Sequence, residues 1–177
     1  GCDYVLMQLE TNSGAVYDVA EHAALNGKRV ILNPAPAAAV PEHVWKWIDI
    51  VTPNEVEAEY YTGIPVCSGE SAEEAAQWFH RRGVRHVIIT MGDSGAYLSV
   101  NGAGQMVPPF CVTAVDTTGA GDAFNGGLLA ALSEGKDLTQ AVVFASAAAA
   151  LSVGRIGTAP SMPEREEILS LLKTVRK

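Results

Sequence analysis

The sequence predicts an α/β fold built on a mostly parallel sheet, and three features indicate it. Short apolar runs alternate with amphipathic segments of helical period over residues 4–91, as in successive βα units. An Asn101-Gly102 pair between two alternating runs predicts one β-hairpin. A glycine-rich turn at residues 119–121 opens a further helix with a regular apolar face. No linker, internal repeat or low-complexity segment divides the chain, so we expect one domain over residues 1–177.

Caps and turns set the bounds of the predicted elements. Thr11, Asn12 or Ser13 caps the helix after the first strand, and Asn26-Gly27 ends it. A capping box of Ser71 and Glu74 opens another helix, and Asp137 caps a third. These two helices span residues 71–82 and 138–153, and the remaining predicted helices are residues 44–47, 55–62 and 161–175. The predicted strands are residues 4–9, 29–32, 48–51, 87–91, 96–100 and 105–107.

Polar residues follow the first two predicted strands directly. Glu10 comes after the first strand and Asn33 after the second. In an open α/β sheet, the carboxyl ends of the strands border the ligand crevice, so both are candidate binding residues. Position alone equally allows Glu10 to be an exposed loop acid.

The clearest chemical pattern lies in residues 114–127. A short β-branched run ends in Asp116-Thr117-Thr118, and Gly119-Ala120-Gly121 then opens the helix. Glycines let a ligand approach the backbone, and N–H groups in the first turn have no intrahelical partner, so this turn suits phosphate. Asp122 would repel phosphate unless it serves a metal or accepts a proton from a nucleophile, which indicates phosphoryl transfer. The alternative is a plain strand-to-helix turn with an acidic cap.

Composition restricts the classes of function. The chain has 12 basic and 20 acidic residues, hence a net charge of −8, and no basic tract, which argues against nucleic acid and acidic membranes as partners. No apolar run reaches membrane-spanning length, and we expect no signal peptide. The three cysteines (Cys2, Cys67 and Cys111) form no disulfide framework or metal spacing, so we expect a cytoplasmic protein. The phosphate-loop and dinucleotide-binding glycine patterns are also absent.

Residues 116–124 resemble the C-terminal signature of the ribokinase family of carbohydrate kinases. Segments resembling the same family occur in the same order along almost the whole chain. They are residues 7–10, 33–36, 52–59, 90–95 and 157–161. The resemblance implies a ribokinase-like three-layer α/β/α fold, truncated at the N-terminus. Residues 1–3 lead directly into an apolar strand, and the upstream strands, a sugar-binding glycine motif and a lid would be missing.

The resemblance also implies an activity, namely ATP-dependent phosphorylation of a sugar hydroxyl, with D-ribose expected and ribose 5-phosphate as the product. Asp122 would be the catalytic base, and Gly119, Ala120 and Gly121 would form the anion hole. Glu10 and Asp122 would contact the sugar. The implied ATP-binding residues are Asn54, Thr90, Gly92, Asp93, Ser94, Gly95, Gly121 and Ser146. For residues 92–95 the alternative is one more turn, and for Ser146 it is tight packing of an alanine-rich helix.

Two metal ions are implied together with ATP. Glu57, three residues after Asn54 on one side of a helix start, would order the waters of Mg²⁺. The alternative for this acidic segment is a solvated helix face. A K⁺ site would be formed mostly by backbone oxygens, and for Asp116 the alternative is a local turn cap. Its implied residues are Asp116, Thr118, Ser152, Arg155, Gly157 and Ser161.

Other functions stay open at this stage. The chain on its own is expected to have negligible sugar kinase activity, and it is alternatively a non-catalytic nucleotide-binding or purely structural α/β fragment. A neighbouring kinase of the same family, acting on fructose, adenosine or a 2-keto sugar acid, is a third interpretation. Truncation would expose a sheet edge, so self-association is possible.

Overall fold

The computed structural model describes residues 1–175. Contacts within the chain group it into two compact units, Gly1–Val107 and Pro108–Lys177. The first unit contains all six strands, and the second contains three of the helices. A single domain over the whole chain stays a prediction.

The first unit is a mixed sheet whose strands lie in sequence order. The strands are β1 (Tyr4–Met7), β2 (Arg29–Leu32), β3 (Ile50–Val51), β4 (His86–Thr90), β5 (Ala96–Val100) and β6 (Ala103–Val107). Strands β1 to β4 pair in parallel, with Leu32 opposite Met7 and Val51. Strands β4, β5 and β6 pair antiparallel. The predicted α/β class, the mostly parallel order and the hairpin are confirmed.

The hairpin turn has the backbone that its sequence requires. Asn101 and Gly102 have φ of 51° and 85°, the two positive values of a type I′ turn. Such a turn matches the right-handed twist of the paired strands, which is why Asn-Gly predicts it reliably.

The helices begin and end at identifiable caps. They are α1 (Ser13–Leu25), α2 (Glu55–Thr62), α3 (Gly69–His80), α4 (Ala120–Ser133), α5 (Leu138–Val153) and α6 (Arg165–Val175). Asn12 caps α1 through Ala15 N–H at 3.1 Å, and Asp137 caps α5 through Gln140 N–H at 2.8 Å, as predicted. None of the helices in residues 1–175 combines the length and the apolar character that a membrane crossing requires.

Helices α1, α2 and α3 bury their apolar faces with the sheet in one core. Val87 and Ile89 of β4 are fully buried there, as are Trp45 and Phe79. Trp45 meets Phe79 edge to face, with ring centroids 5.4 Å apart, in the arrangement that aromatic quadrupoles favour. This core fixes the strands whose carboxyl ends carry the first group of candidate site residues.

Several predicted boundaries are wrong, each for a local reason. The first strand ends at Met7 rather than at residue 9, because the Leu9 N–H leaves the ladder and donates to the Ala35 carbonyl at 2.8 Å. Helix α3 begins two residues early, because Ser68 is its cap and Ser71 is the reciprocal partner. The third strand has only two residues. The last helix begins at Arg165 after a 3-10 turn over residues 159–161.

A buried histidine at the start of β4 makes the stability of the first unit depend on pH. His86 is 7% exposed, and its Nδ1 atom has no hydrogen-bond partner among the described residues. Burial lowers the pKa of this imidazole, partly offset by the Asp49 carboxylate. Because the folded state then binds fewer protons, its stability is complete above the unfolded pKa of about 6.5 and falls as the pH drops below it.

We therefore expect the urea midpoint to fall between pH 7.5 and pH 5.5, and His86→Leu to remove much of this fall. Tryptophan fluorescence reports on this unit alone, since all three tryptophans lie within residues 1–107. The exposed His22, replaced by Gln, is the control and should keep the pH dependence of the unmodified chain. An identical pH response in the His86→Leu variant would contradict the assignment.

Candidate functional site

The carboxyl ends of β1, β2 and β3 are joined by a buried asparagine. Asn33 is 6% exposed; its amide nitrogen donates to the Thr52 carbonyl at 2.8 Å, and its amide oxygen accepts from Gln8 at 2.9 Å. Both polar groups of the side chain are therefore engaged within the protein. The residue thereby ties three neighbouring strand ends together, and its contact with a ligand stays a prediction.

Two tyrosine side chains hold the loop of residues 34–41 through hydrogen bonds. Sequence reasoning did not predict these two contacts. The Tyr61 hydroxyl of α2 donates to the Ala38 carbonyl at 2.8 Å, and the Tyr17 hydroxyl of α1 donates to the Ala39 carbonyl at 2.9 Å. Burial raises the pKa of Tyr61 to about 12, so the hydroxyl stays a donor. Glu10, the predicted sugar contact, is exposed beyond β1, where Leu9 bonds to this same loop.

The ends of β3 and β4 bring several predicted nucleotide-binding residues together. Thr90 forms a parallel bridge with Asn54, and its N–H donates to the Pro53 carbonyl at 3.0 Å. The Gly92–Ser94 turn follows at once as a 3-10 helix, with exposed Gly92, Asp93 and Ser94. Gly92 and Gly95 have φ of 48° and 92°, values that other residues adopt only under strain. A tight turn with accessible backbone therefore stands beside the start of α2.

Asn54 and Glu57 form a closed capping box at that helix start. The Asn54 side-chain oxygen accepts the Glu57 N–H at 2.8 Å. In return, the two Glu57 carboxylate oxygens accept from the Asn54 N–H at 2.9 Å and from its side-chain amide at 3.0 Å. Burial raises the pKa of Glu57, while the Asn54 hydrogen bond lowers it. Each carboxylate oxygen keeps a second lone pair, which fits contact with a metal-bound water; the Mg²⁺ role stays a prediction.

In the second unit, the glycine-rich turn of residues 119–121 leads directly into α4, and its role as an anion hole stays a prediction. Gly119 is the cap of α4 at φ 79°, and a Cβ atom there would lie 3.3 Å from the Thr158 methyl group. The Ala120 N–H donates to the Thr117 carbonyl at 3.2 Å, so this amide of the predicted anion hole is already engaged. Within residues 1–175, the Gly119 and Gly121 N–H groups donate to no backbone carbonyl. Two helix-start donors are thus available to an anion.

Asp122 lies in the first turn of α4 with an exposed side chain. It is therefore on the surface beside the turn, rather than in the packed core. Within the described residues no strand lies between β6 and α4: the N–H groups of Val115 and Asp116 both donate to the Val153 carbonyl, so the turn joins an irregular segment rather than a strand to the helix.

Small residues let α4 and α5 pack closely. A Cβ atom at Gly127 would lie 3.0 Å from the Ala148 methyl group and 3.1 Å from the Ala145 Cα atom. Ala145 and Ala148 are buried, whereas Ser146 between them is only half-buried. The alanine-rich stretch of α5 is therefore a packing surface, and the adenine contact of Ser146 stays a prediction.

Asp116 joins two loops of the second unit. One carboxylate oxygen accepts the Thr118 N–H at 2.9 Å, and the other accepts the Gly157 N–H at 3.0 Å. These hydrogen bonds, that from Gly157 foremost, lower the pKa of Asp116 to about 2. The residue is thus a cap within its own turn and also a link to a segment some forty residues away.

Several oxygen atoms beside this link are predicted ligands of a monovalent cation. Within the described residues, no N–H or O–H group donates to the carbonyl oxygens of Thr118, Arg155 or Gly157. Ser161 is fully buried, with its hydroxyl donating to the Thr158 carbonyl at 2.7 Å. Ser152 fits less well, because its carbonyl already accepts the Arg155 N–H at 3.1 Å. One carboxylate with several carbonyl oxygens is a ligand set for a hard cation; the K⁺ role stays a prediction.

Protein ligands for a more highly charged metal are not grouped in the same way. Within residues 1–175, no three His, Cys, Asp or Glu side chains stand close enough to hold a metal ion.

Sequence reasoning also missed the ion pair of Arg155 with Glu167, because two residues twelve positions apart across a loop leave no periodic signal.

Comparison with known proteins assigns this chain to a family. The family model described as pfkB family carbohydrate kinase matches residues 4–165. The chain is 46% identical over 171 residues to the ribokinase of Haemophilus influenzae, covering 97% of this chain and 56% of that protein. The chain thus spans little more than half the length of this curated relative.

Solved structures agree. The ribokinase of Thermotoga maritima gives a TM-score of 0.89 at 40% identity, covering 97% of this chain and 57% of that one. The ribokinase of Arabidopsis thaliana, solved in complex with ribose and ATP, gives a TM-score of 0.92 at 35% identity. The match covers 97% of this chain and 56% of that one. The ribokinase-like α/β fold class and the resemblance predicted from the sequence are both confirmed. With a matching family model over most of its length and the same fold as two solved ribokinases, this chain belongs to the pfkB family of carbohydrate kinases.

Proposed function

We propose that this chain carries the nucleotide-binding and phosphoryl-transfer part of a kinase that phosphorylates D-ribose at its 5-hydroxyl with ATP. In the reaction, the hydroxyl oxygen bonds to the γ-phosphorus as the bond to the β–γ bridging oxygen breaks. The leaving electron pair stays on ADP, and the hydroxyl proton passes to the Asp122 carboxylate. Glu10 and Asp122 contact the sugar.

One observation carries the proposal. Within the described chain, the Gly119 and Gly121 N–H groups donate to no backbone carbonyl, and the exposed Asp122 carboxylate is next to them in sequence. Donors held by the backbone need no reorganisation when charge develops on the transferring phosphoryl oxygens. Phosphoryl transfer depends mostly on such positioning and charge stabilisation, and it asks little basicity of the carboxylate.

The other roles follow the same division. The proposed ATP-binding residues are Asn54, Thr90, the turn of residues 92–95, Gly121 and Ser146. Mg²⁺, when bound, would neutralise charge on the phosphates, and Glu57 would orient its waters. The Asp116 carboxylate and neighbouring carbonyl oxygens would hold K⁺, which would fix the backbone of the glycine turn.

The test combines calorimetric titration with a coupled assay of ADP release. The chain should bind ATP with Mg²⁺, and a polypeptide of the relatives' full length that contains it should phosphorylate ribose in preference to fructose and adenosine. No nucleotide binding by either polypeptide would overturn the kinase proposal. Preference for fructose or adenosine would keep the kinase and overturn the ribose assignment.

A second candidate function is nucleotide binding without catalysis. It is supported by the length of the chain, which spans 56% of its Haemophilus relative. On this proposal, residues 1–177 alone bind ATP but release no ADP in the presence of ribose. Turnover by the isolated chain would exclude it.

Association and location complete the proposal. β1 pairs with β2 alone within the described sheet, and unpaired strand edges favour association with a second copy. Sedimentation velocity at increasing concentration tests this. The three cysteines are free and exposed, which supports a reducing cytoplasm as the location.

A further inference from the structure

The segment of residues 154–161, which holds part of the proposed cation site, is fastened from two sides. On one side, the Asp116 carboxylate accepts the Gly157 N–H at 3.0 Å. Packing contributes little between these points, because the Ile156 side chain is 79% exposed. Gly157, at φ 96°, is also a backbone position with wide conformational freedom. Polar contacts must therefore fix the carbonyl oxygens of this segment.

On the other side, Arg155 forms a two-point ion pair with Glu167 of α6. Its Nη1 atom donates to Glu167 Oε2 at 3.3 Å, and its Nη2 atom donates to Oε1. Glu167 is itself held, since Oε2 also accepts the Glu164 N–H at 2.8 Å. A planar guanidinium bound at two points has a fixed orientation, which a single contact does not give.

Helix α6, which carries Glu167, is itself held by a second ion pair. Arg165 donates to both carboxylate oxygens of Glu134, which follows the end of α4, at 2.8 and 3.0 Å. A chain of ion pairs therefore runs from α4 through the first turn of α6 to Arg155. The Arg155 and Glu167 side chains are both 39% exposed, so the pair adds little to global stability. Its effect is on local geometry.

We propose that Glu167 is a positioning residue for the monovalent cation: by holding the Arg155 side chain, it sets the spacing of the Arg155 and Gly157 carbonyl oxygens. This inference rests on the cation site of the proposed function. A cation cage selects K⁺ over Na⁺ only when its oxygens are held apart, and a loosened segment closes on the smaller ion or binds neither well. Neither Glu167 nor its pairing belongs to the implied ligand set.

The experiment measures thermal midpoints of the chain by circular dichroism in K⁺, Na⁺ and choline salts at constant ionic strength. The unmodified chain should gain stability from K⁺ beyond that from Na⁺. Glu167→Gln should need at least about tenfold more K⁺ for half of the gain, which corresponds to the loss of one charge-assisted contact. In choline its midpoint should stay close to that of the unmodified chain. Glu166→Gln, one position earlier on α6, is the matched control and should respond to K⁺ normally.

Arg155→Lys separates orientation from charge. It keeps the positive charge but loses the two-point geometry, so it should behave like Glu167→Gln. A normal K⁺ response in Glu167→Gln, or a midpoint lowered equally in all salts with the K⁺ gain intact, would overturn the inference. If the unmodified chain gains nothing from K⁺, the cation site of the proposed function fails, and the inference fails with it.

Discussion

Replacing Asp122 by Asn should lower phosphoryl transfer to ribose by about 10²–10⁴-fold, the range over which a positioned general base accelerates a reaction. The amide cannot accept the hydroxyl proton, yet it has nearly the shape of the carboxylate. Asp122 is exposed at the start of α4, so the change opens no cavity in the core. Turnover is measured by ADP release in the full-length polypeptide, and ATP affinity by calorimetry.

The affinity for ATP should stay close to that of the unmodified protein, or rise slightly, because a negative charge is removed beside the phosphates. Asp137→Asn is the matched control. Asp137 likewise begins a helix of the second unit, and Asn is as good a cap. Its turnover should be unaffected. Equal turnover in the Asp122→Asn and unmodified proteins would remove Asp122 from the mechanism.

Gly119→Val should weaken ATP binding strongly. A valine at φ 79° costs roughly 1–2 kcal/mol of backbone strain, and its Cβ atom would lie 3.3 Å from the Thr158 methyl group. The turn must move, and its N–H groups would then miss the phosphate. A hydrogen bond to a charged group contributes about 1.5–3 kcal/mol, so each one lost weakens binding roughly tenfold to hundredfold.

Gly135→Val distinguishes this effect from general destabilisation. Gly135 has the same φ of 79° just beyond the other end of α4, and nothing lies within 4 Å of a Cβ atom placed there. Both variants should therefore lose thermal stability through the strained φ, measured by circular dichroism, and Gly119→Val at least as much as Gly135→Val. Only Gly119→Val should lose ATP affinity in the calorimeter. Equal affinities in the two variants would show that residues 119–121 are not an anion cradle.

Much of the fold follows from residues whose effect is local. Asp137, Asn54 and the Asn101-Gly102 pair act within four positions of themselves, and each marks the boundary that the structure has. Errors arose where two local signals competed. Ser71 with Glu74 has the form of a capping box, but the box that forms is Ser68 with Ser71, three residues earlier. Propensity alone does not rank the two.

The candidate site divides in the same way. The glycine turn and Asp122 are contiguous, so the sequence alone is enough to predict an anion hole beside a carboxylate. The bridge of Asn33 to Gln8 and Thr52, and the pair of Arg155 with Glu167, join residues twelve to twenty-five positions apart. No periodicity encodes such contacts, because they depend on how strands and loops are brought side by side.

By itself, the sequence determined the order and type of the elements, the family, and the backbone character of the glycine-rich turn, since caps, turns and helical periods are short-range effects. Only the tertiary structure decided which polar side chains are consumed as internal links. It buried Asn33 between strand ends, engaged both oxygens of Asp116 and left the Gly119 and Gly121 amides without a backbone acceptor within the described chain. The physical reason is that hydrogen-bond satisfaction is settled by neighbours in space, which residues distant in the chain supply.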